Sequence, residues 1–246
     1  MKDNFSVQAS SYARFRPTYP DDMLRYINDQ ASRHQIAWDV GTGNGQVAVW
    51  LADHFKHVYA TDISENQLVH APKRKNIYYQ LVAAEEVQFA KNQFDLVTVG
   101  QAVHWFDIDR FYQVVQCSLK PKGVIALFGY TFLRISPAID EVIYHLYQTI
   151  LGKYWDEERR LVEQEYQSIS FPFREIMAPE FHYTTQWMLD QLFGYLNTWS
   201  AVQHYRQDHD DNPVNLVEQN LSQAWGKVKL REVCFPMFLR LGKNHK

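Results

Sequence analysis

The stretch Trp38-Asp39-Val40-Gly41-Thr42-Gly43-Asn44-Gly45-Gln46 constrains this chain more than any other. It joins an apolar run at 36–41 to a helical pattern at 46–55, so its glycines stand at a strand-to-helix turn. Glycine there allows positive φ and lets the backbone approach a ligand closely. The free N–H groups of the helix start then face that ligand.

Around this turn the first half of the chain alternates short β-branched or aromatic runs with amphipathic ones. The pattern predicts strands over 36–41, 57–62, 77–82, 94–100 and 124–130. Helices are predicted over 46–55, 65–71 and 107–119, with a short one at 85–89. Ser64 and Asp107 are placed as N-caps, and Pro121 with Gly123 turns the chain into the fifth strand. Such alternation builds a parallel sheet covered on both faces, and right-handed crossovers make it doubly wound. Ligands then bind beyond the carboxyl ends of the strands, where strand order reverses.

The second half reads differently. Residues 136–166 and 187–205 are expected to be helical, and 181–186 and 232–241 alternate like strands. Residues 136–173 and 190–220 read as a helical cap inserted around the late strands. Pro236 argues for a last strand at or near a sheet edge. The chain is expected to divide into a core with its N-terminal segment (1–135), the cap with a late strand (136–230) and a final strand (231–246).

Composition narrows the function. The chain has 246 residues, 46% apolar and 22% charged, which suits a globular enzyme-sized domain. A formal net charge of −3 offers no long-range field for nucleic acid. Cys117 and Cys234 have no zinc-site spacing, so no metal is expected. The opening MKDNFSVQAS lacks the apolar run of a signal peptide, and no run is long enough to span a bilayer. The expected setting is cytoplasmic, without membrane or nucleic-acid partners, as a monomer or homodimer.

About twenty residues beyond the glycines, Asp62 ends the next strand candidate, where an acid meets ribose hydroxyls in nucleotide-binding folds. The dinucleotide pattern GxGxxG asks for glycine at position 46, which here is Gln46; the third glycine is Gly45. The loop is therefore GxGxG, led by Asp39. A pyrophosphate would not suit that acid, whereas S-adenosylmethionine carries a sulfonium and an ammonium that do.

With these residues in view, the chain resembles the class I S-adenosylmethionine-dependent methyltransferases. It is most similar to the methyltransferase type 11 group and its trans-aconitate methyltransferase-like members. The resemblance also rests on Tyr12-Ala13-Arg14-Phe15-Arg16-Pro17-Thr18-Tyr19-Pro20, Ala83-Ala84-Glu85-Glu86 and Gln101-Ala102-Val103-His104-Trp105-Phe106-Asp107. Leu119-Lys120-Pro121-Lys122-Gly123 and Thr198-Trp199-Ser200-Ala201-Val202 add to it. It implies an α/β Rossmann-like, seven-stranded, mainly parallel sheet with an antiparallel last strand and a helical cap. It also implies that Gly41, Gly43 and Gly45 lie against the methionyl and ribose part, and that Asp39 serves the ammonium through water. Asp62 would hold the ribose and Ile63 would pack on adenine, with Ala84 and Glu85 at the adenine edge. Gln101 would sit near the reacting methyl, Arg16 would reach a cofactor or substrate carboxylate, and Tyr12 would close the pocket. The chain departs from many relatives at Ala83, where they carry an acid for the adenine amino group.

Methyl transfer from a sulfonium displaces a neutral thioether, so catalysis is mostly alignment and desolvation. A base is needed only when the acceptor holds its proton near neutral pH. His104 is the candidate base. The preferred competing reading is structural, with its ring on Trp105 and a bond to a backbone carbonyl. His34, His54, His57 and His70 are read as lining solvated faces. Trp199, Tyr205, Tyr130 and Phe132 are candidates to roof an acceptor pocket. The expected activity is methylation of a small-molecule acceptor, with carboxylate O-methylation as the first guess. The alternatives are a nicotinamide-dependent oxidoreductase and a catalytically silent cofactor-binding protein.

Overall fold

The computed structural model describes residues 15–245. Its strands are β1 (Ile36–Val40), β2 (His57–Asp62), β3 (Ile77–Leu81), β4 (Phe94–Gly100), β5 (Leu119–Tyr130), β6 (Arg174–Ile176), β7 (Phe181–Trp187) and β8 (Arg231–Lys243). Its α-helices are α1 (Asp21–Gln30), α2 (Gln46–Ala52), α3 (Glu65–His70), α4 (Ile108–Ser118), α5 (Pro137–Tyr144), α6 (Arg159–Glu163), α7 (Leu189–Leu196), α8 (Ser200–Asp208) and α9 (Asn215–Trp225).

The sheet runs β3-β2-β1-β4-β5-β8. The first five strands are parallel, and β8 is antiparallel to β5. On its other side β8 pairs antiparallel with both β6 and β7. Among the described residues the sheet therefore has eight strands rather than the expected seven, because β6 and β7 both pair with β8 on the same side. Chain order reverses between β1 and β4, the switch point where a doubly wound sheet leaves a crevice.

Side-chain alternation assigns the two faces. Ala37, Leu96, Ala126 and Phe128 enter one buried cluster, which takes in Met23, Leu24 and Ile27 of α1 and Val47, Ala48 and Leu51 of α2. Trp38, Val97, Ile125 and Leu127 enter the other, closed by Phe111, Tyr112 and Val115 of α4. β4 is buried on both faces from Phe94 to Val99, with Asp95 and Thr98 as its polar members.

The caps behave as expected: the side chains of Ser64 and Asp107 accept from Gln67 and Arg110 N–H. Four expectations change. The predicted helix at 85–89 is a turn over 84–86, closed by Glu86 N–H on the Ala83 carbonyl (3.1 Å). The predicted helix at 136–166 breaks into α5, a π-helical turn (His145–Ile150), a 3-10 turn at Gly152 and α6, because the backbone turns extended at Trp155 (ψ 138°). The segment 187–205 is two helices, α7 and α8, separated at 197–199. Finally, β8 is internal, although it carries Pro236. The Pro236 carbonyl accepts from Thr131 N–H, one residue past the end of β5, so its missing donor falls beyond that ladder. No helix among the described residues is long and apolar enough to cross a membrane.

Candidate active site

The glycine loop closes the carboxyl end of β1. Gly43 has φ 55°, and a Cβ built on it would meet nothing within 4 Å, because the loop opens there into a pocket. Gly45, at φ 81°, begins α2, and a Cβ there would lie 2.6 Å from the Tyr79 hydroxyl. One glycine thus keeps space clear for a ligand, and the other lets the helix start approach β3.

Asp62 ends β2 and ties this loop down. Its two carboxylate oxygens accept from Gly43 N–H (2.7 Å) and Ser64 N–H (2.9 Å). Asp62 also lines the pocket, where a carboxylate can accept from hydroxyl groups. Asp39 lies beneath the loop, 2% exposed, and accepts from the hydroxyls of Thr42 (2.6 Å) and Thr98 (2.8 Å). Burial pushes its pKa up to about 6, against the pull of those two hydroxyls. Among the described residues no lysine, arginine or histidine pairs with it.

Across the crevice, Gln101 follows β4 in a left-handed conformation (φ 53°) that is uncommon for a side-chain-bearing residue. Its own N–H donates to the Phe128 carbonyl (2.7 Å), and its side-chain oxygen accepts from Tyr130 N–H (2.9 Å). The amide lies across Gly129, where a Cβ would collide with that oxygen. Arg16 comes over the top. It donates to the Tyr130 hydroxyl (3.0 Å) and the Thr198 carbonyl (3.0 Å), with its guanidinium carbon 5.5 Å from the Tyr195 ring centre.

One pocket is lined by Arg16, Asp39, Gly41, Gly43, Asp62, Ile63, Ala84 and Gln101, so eight of the expected site residues come together. Gly45 and Glu85 do not line it, and Tyr12 lies outside the described residues. Glu85 sits on the 84–86 turn, with one carboxylate oxygen buried and without a hydrogen-bond partner. His104 does not line the pocket either. It is 8% exposed, and its Nδ1 is 2.7 Å from the Tyr166 hydroxyl. Burial, helped by the charge of Arg159, lowers its pKa to about 3, so the ring is neutral at any working pH. It rests on Trp105 (ring centres 4.8 Å apart), as the structural reading expects, but bonds a hydroxyl rather than a backbone carbonyl.

Of the four candidate roof aromatics, Tyr130 lines the pocket. Phe132 and Trp199 pack on each other (6.3 Å), and Tyr205 stacks on His209 (4.3 Å). The sequence reading did not single out Tyr19, Gln67, Trp105 or Phe106 as site residues, yet all four line the pocket. Trp105 and Phe106 stand in a motif already noted for its histidine. Gln67, 6% exposed, carries no signal in the sequence beyond its place three residues after a cap.

The residues fit the expected ligand. Asp39 is a buried carboxylate with no cation paired to it among the described residues, which suits a cationic group, and Gly43 leaves room beside Asp62. Fold and pocket together define a nucleoside-binding enzyme of the doubly wound α/β class.

Comparison with known proteins narrows that class. A family model described as a methyltransferase domain matches residues 38–127. A Dictyostelium discoideum protein provisionally named a methyltransferase is 30% identical over 98% of this chain and 95% of its own. A Saccharomyces cerevisiae protein provisionally named an S-adenosylmethionine-dependent methyltransferase is 25% identical over 66% of this chain and 60% of its own. A solved structure from Anaeromyxobacter dehalogenans, provisionally described as a type II methyltransferase, superposes with a TM-score of 0.86. It is 34% identical and covers 93% of this chain and 98% of that one. The chain belongs to the class I S-adenosylmethionine-dependent methyltransferases, and its cofactor is S-adenosylmethionine. That finding displaces the nicotinamide-dependent alternative.

Proposed function

We propose that the chain methylates a carboxylate oxygen of a small organic acid. One observation carries this reading: Arg16 is the only cationic side chain among the described residues lining the pocket, and no histidine or lysine lines it. An acid acceptor is already ionised at neutral pH and needs no base. An amine or phenol would need one, and His104 is held away from the pocket on Tyr166. The resemblance to trans-aconitate methyltransferase-like proteins supports an acidic acceptor.

The cofactor supplies an electrophilic methyl group on a positively charged sulfur. The chain's own residues bind, orient and exclude water. Asp62 would hold the ribose hydroxyls, and Gly41 and Gly43 would let the backbone lie against the nucleoside. Ile63 and Ala84 would bracket the adenine. Gln67 and Ser64, both at that end of the pocket, would stand in for the acid missing at Ala83. Asp39 would balance the cofactor's cations. The Arg16 fork, steadied by the Tyr130 hydroxyl, would hold the acceptor carboxylate by paired hydrogen bonds. Pro17, Tyr19, Trp105 and Phe106 would shut water from the reacting pair.

The direct test supplies S-adenosylmethionine with trans-aconitate, citrate, succinate, benzoate, phenol and butylamine, and follows S-adenosylhomocysteine release. The expected product is a methyl ester, cleaved by mild alkali. Turnover of phenol or butylamine alone would replace this reading, and cofactor binding without turnover of any of the six would favour a catalytically silent protein.

Asp39 adds a pH prediction. The cofactor's cations favour the ionised carboxylate, so binding lowers its pKa from the free value of about 6. Affinity for S-adenosylmethionine should then be constant above that value. It should fall as pH drops below it, at a limiting slope of about tenfold per pH unit. Calorimetry from pH 8 to pH 5 reads this directly, and Asp39→Asn should flatten the profile. A flat wild-type profile would remove Asp39 from cation binding.

A further inference from the structure

The residues around His104 form a chain of contacts from the last strand to the pocket wall. Arg240 of β8 is 7% exposed, and it donates to the carbonyls of Tyr166 (2.6 Å) and Ile169 (2.8 Å). Its Nε pairs with Glu175 (2.8 Å). Tyr166 is fully buried, and it and Glu165 both adopt left-handed backbone (φ 59° and 53°). Two such residues in succession, one with a bulky ring, are strained unless their surroundings hold them. Here Arg240 holds the Tyr166 carbonyl, and Phe238 packs edge-on to its ring at 5.0 Å. The Tyr166 hydroxyl meets His104 Nδ1 at 2.7 Å, and α6 lies against the 103–105 turn. The next two residues, Trp105 and Phe106, line the pocket. Phe106 also backs the glycine loop, where a Cβ on Gly41 would lie 3.3 Å from its ring.

The 103–106 turn is closed locally by Trp105 N–H on the Ala102 carbonyl (3.0 Å) and Phe106 N–H on the Val103 carbonyl (3.1 Å). Its buried histidine ring is tied to the rest of the molecule by the hydroxyl of a residue 62 positions away. We propose that His104 and Tyr166 form a positioning latch that sets the Trp105–Phe106 wall of the pocket, so that His104 acts on methyl transfer through Trp105 and not as a proton acceptor. Removing the Tyr166 hydroxyl leaves a buried imidazole nitrogen without its partner, which costs more than the bond itself. The turn then shifts to satisfy it, and a displaced wall misaligns acceptor and methyl donor. The proposal rests on the reading that the acceptor binds in the pocket described above.

The test uses the full chain labelled with 5-fluorotryptophan and saturated with S-adenosylhomocysteine. The Trp105 signal is assigned by Trp105→Phe. Trp38 and Trp225, both buried in the clusters, report that the fold is intact. Tyr166→Phe and His104→Leu should move or split the Trp105 signal and leave Trp38 and Trp225 in place. His104→Asn presents a polar atom where Nδ1 lies, and should restore the wild-type spectrum. Calorimetric affinity for S-adenosylhomocysteine should change less than kcat/KM in Tyr166→Phe and His104→Leu. For whichever acid of the panel the wild type methylates, kcat/KM should fall about 10- to 100-fold in Tyr166→Phe and His104→Leu and recover in His104→Asn. An unmoved Trp105 signal in Tyr166→Phe would overturn the latch. So would equal losses in His104→Asn and His104→Leu, which is the pattern expected of a base. If Tyr166→Phe does not fold, the His104→Asn and His104→Leu pair decides alone. If no acid is methylated, the carboxylate reading fails, while the spectra still judge the latch.

Discussion

Gly43→Val should abolish measurable binding of S-adenosylmethionine while leaving the protein folded. Gly43 sits at φ 55°, and a β-branched residue there is strained by about 1–2 kcal/mol. That strain alone would lower affinity only if the backbone moved. The larger effect is steric, because the valine methyl groups would project into the open space that the loop leaves toward the pocket. A shift to relieve the strain would also pull Gly43 N–H from Asp62, now 2.7 Å away. Gly45 provides the contrast. A Cβ there meets Tyr79 and not the pocket, so Gly45→Ala should lower the melting temperature with a smaller loss of affinity. Calorimetry and thermal melts of the two variants separate these effects. Near wild-type affinity in a folded Gly43→Val protein would mean that the cofactor does not lie on the loop.

Asp62→Ala should weaken cofactor binding by at least about tenfold, since charge-assisted hydrogen bonds contribute roughly 1.5–3 kcal/mol each. The carboxylate has two jobs, which makes the loss larger than its ligand contacts alone. It would accept the ribose hydroxyls, and in the protein itself it accepts from Gly43 and Ser64 N–H. Removing it frees the glycine loop from the start of α3, so the cofactor-free protein should also melt earlier. Asp62→Asn keeps one acceptor oxygen and should fall between wild type and alanine on both measures. Unchanged affinity in folded Asp62→Ala would show that the ribose is held elsewhere.

The parts of this molecule that local chemistry decides were legible in the sequence. The glycine turn, Asp62 at the end of its strand, and the Ser64 and Asp107 caps depend only on near neighbours. So does the alternation that builds the parallel half of the sheet. What was missed depends on distant contacts. His104 and Trp105 are adjacent, yet one faces Tyr166 and the other the pocket, and no periodicity in a short 3-10 turn separates them. Pro236 suggested an edge because a strand normally loses a ladder bond at proline. Its position just past the end of β5 removes that loss, and only the register reveals it. Gln67 became a pocket residue through the fold of α3 on β2, not through any motif. In contrast, the buried Met23, Leu24 and Ile27 of α1 stand at helical spacing and could have been read from the sequence.

The place of β8 has a consequence for how the molecule is made. Among the described residues, strands β6 and β7 find their sheet partners in residues 231–243. β6 and β7 precede β8 in the chain, so during synthesis their edges stay unpaired until residues 231–243 have been made. A nascent chain stalled before residue 231 would therefore lack the partner of β6 and β7 and carry an open, association-prone sheet edge.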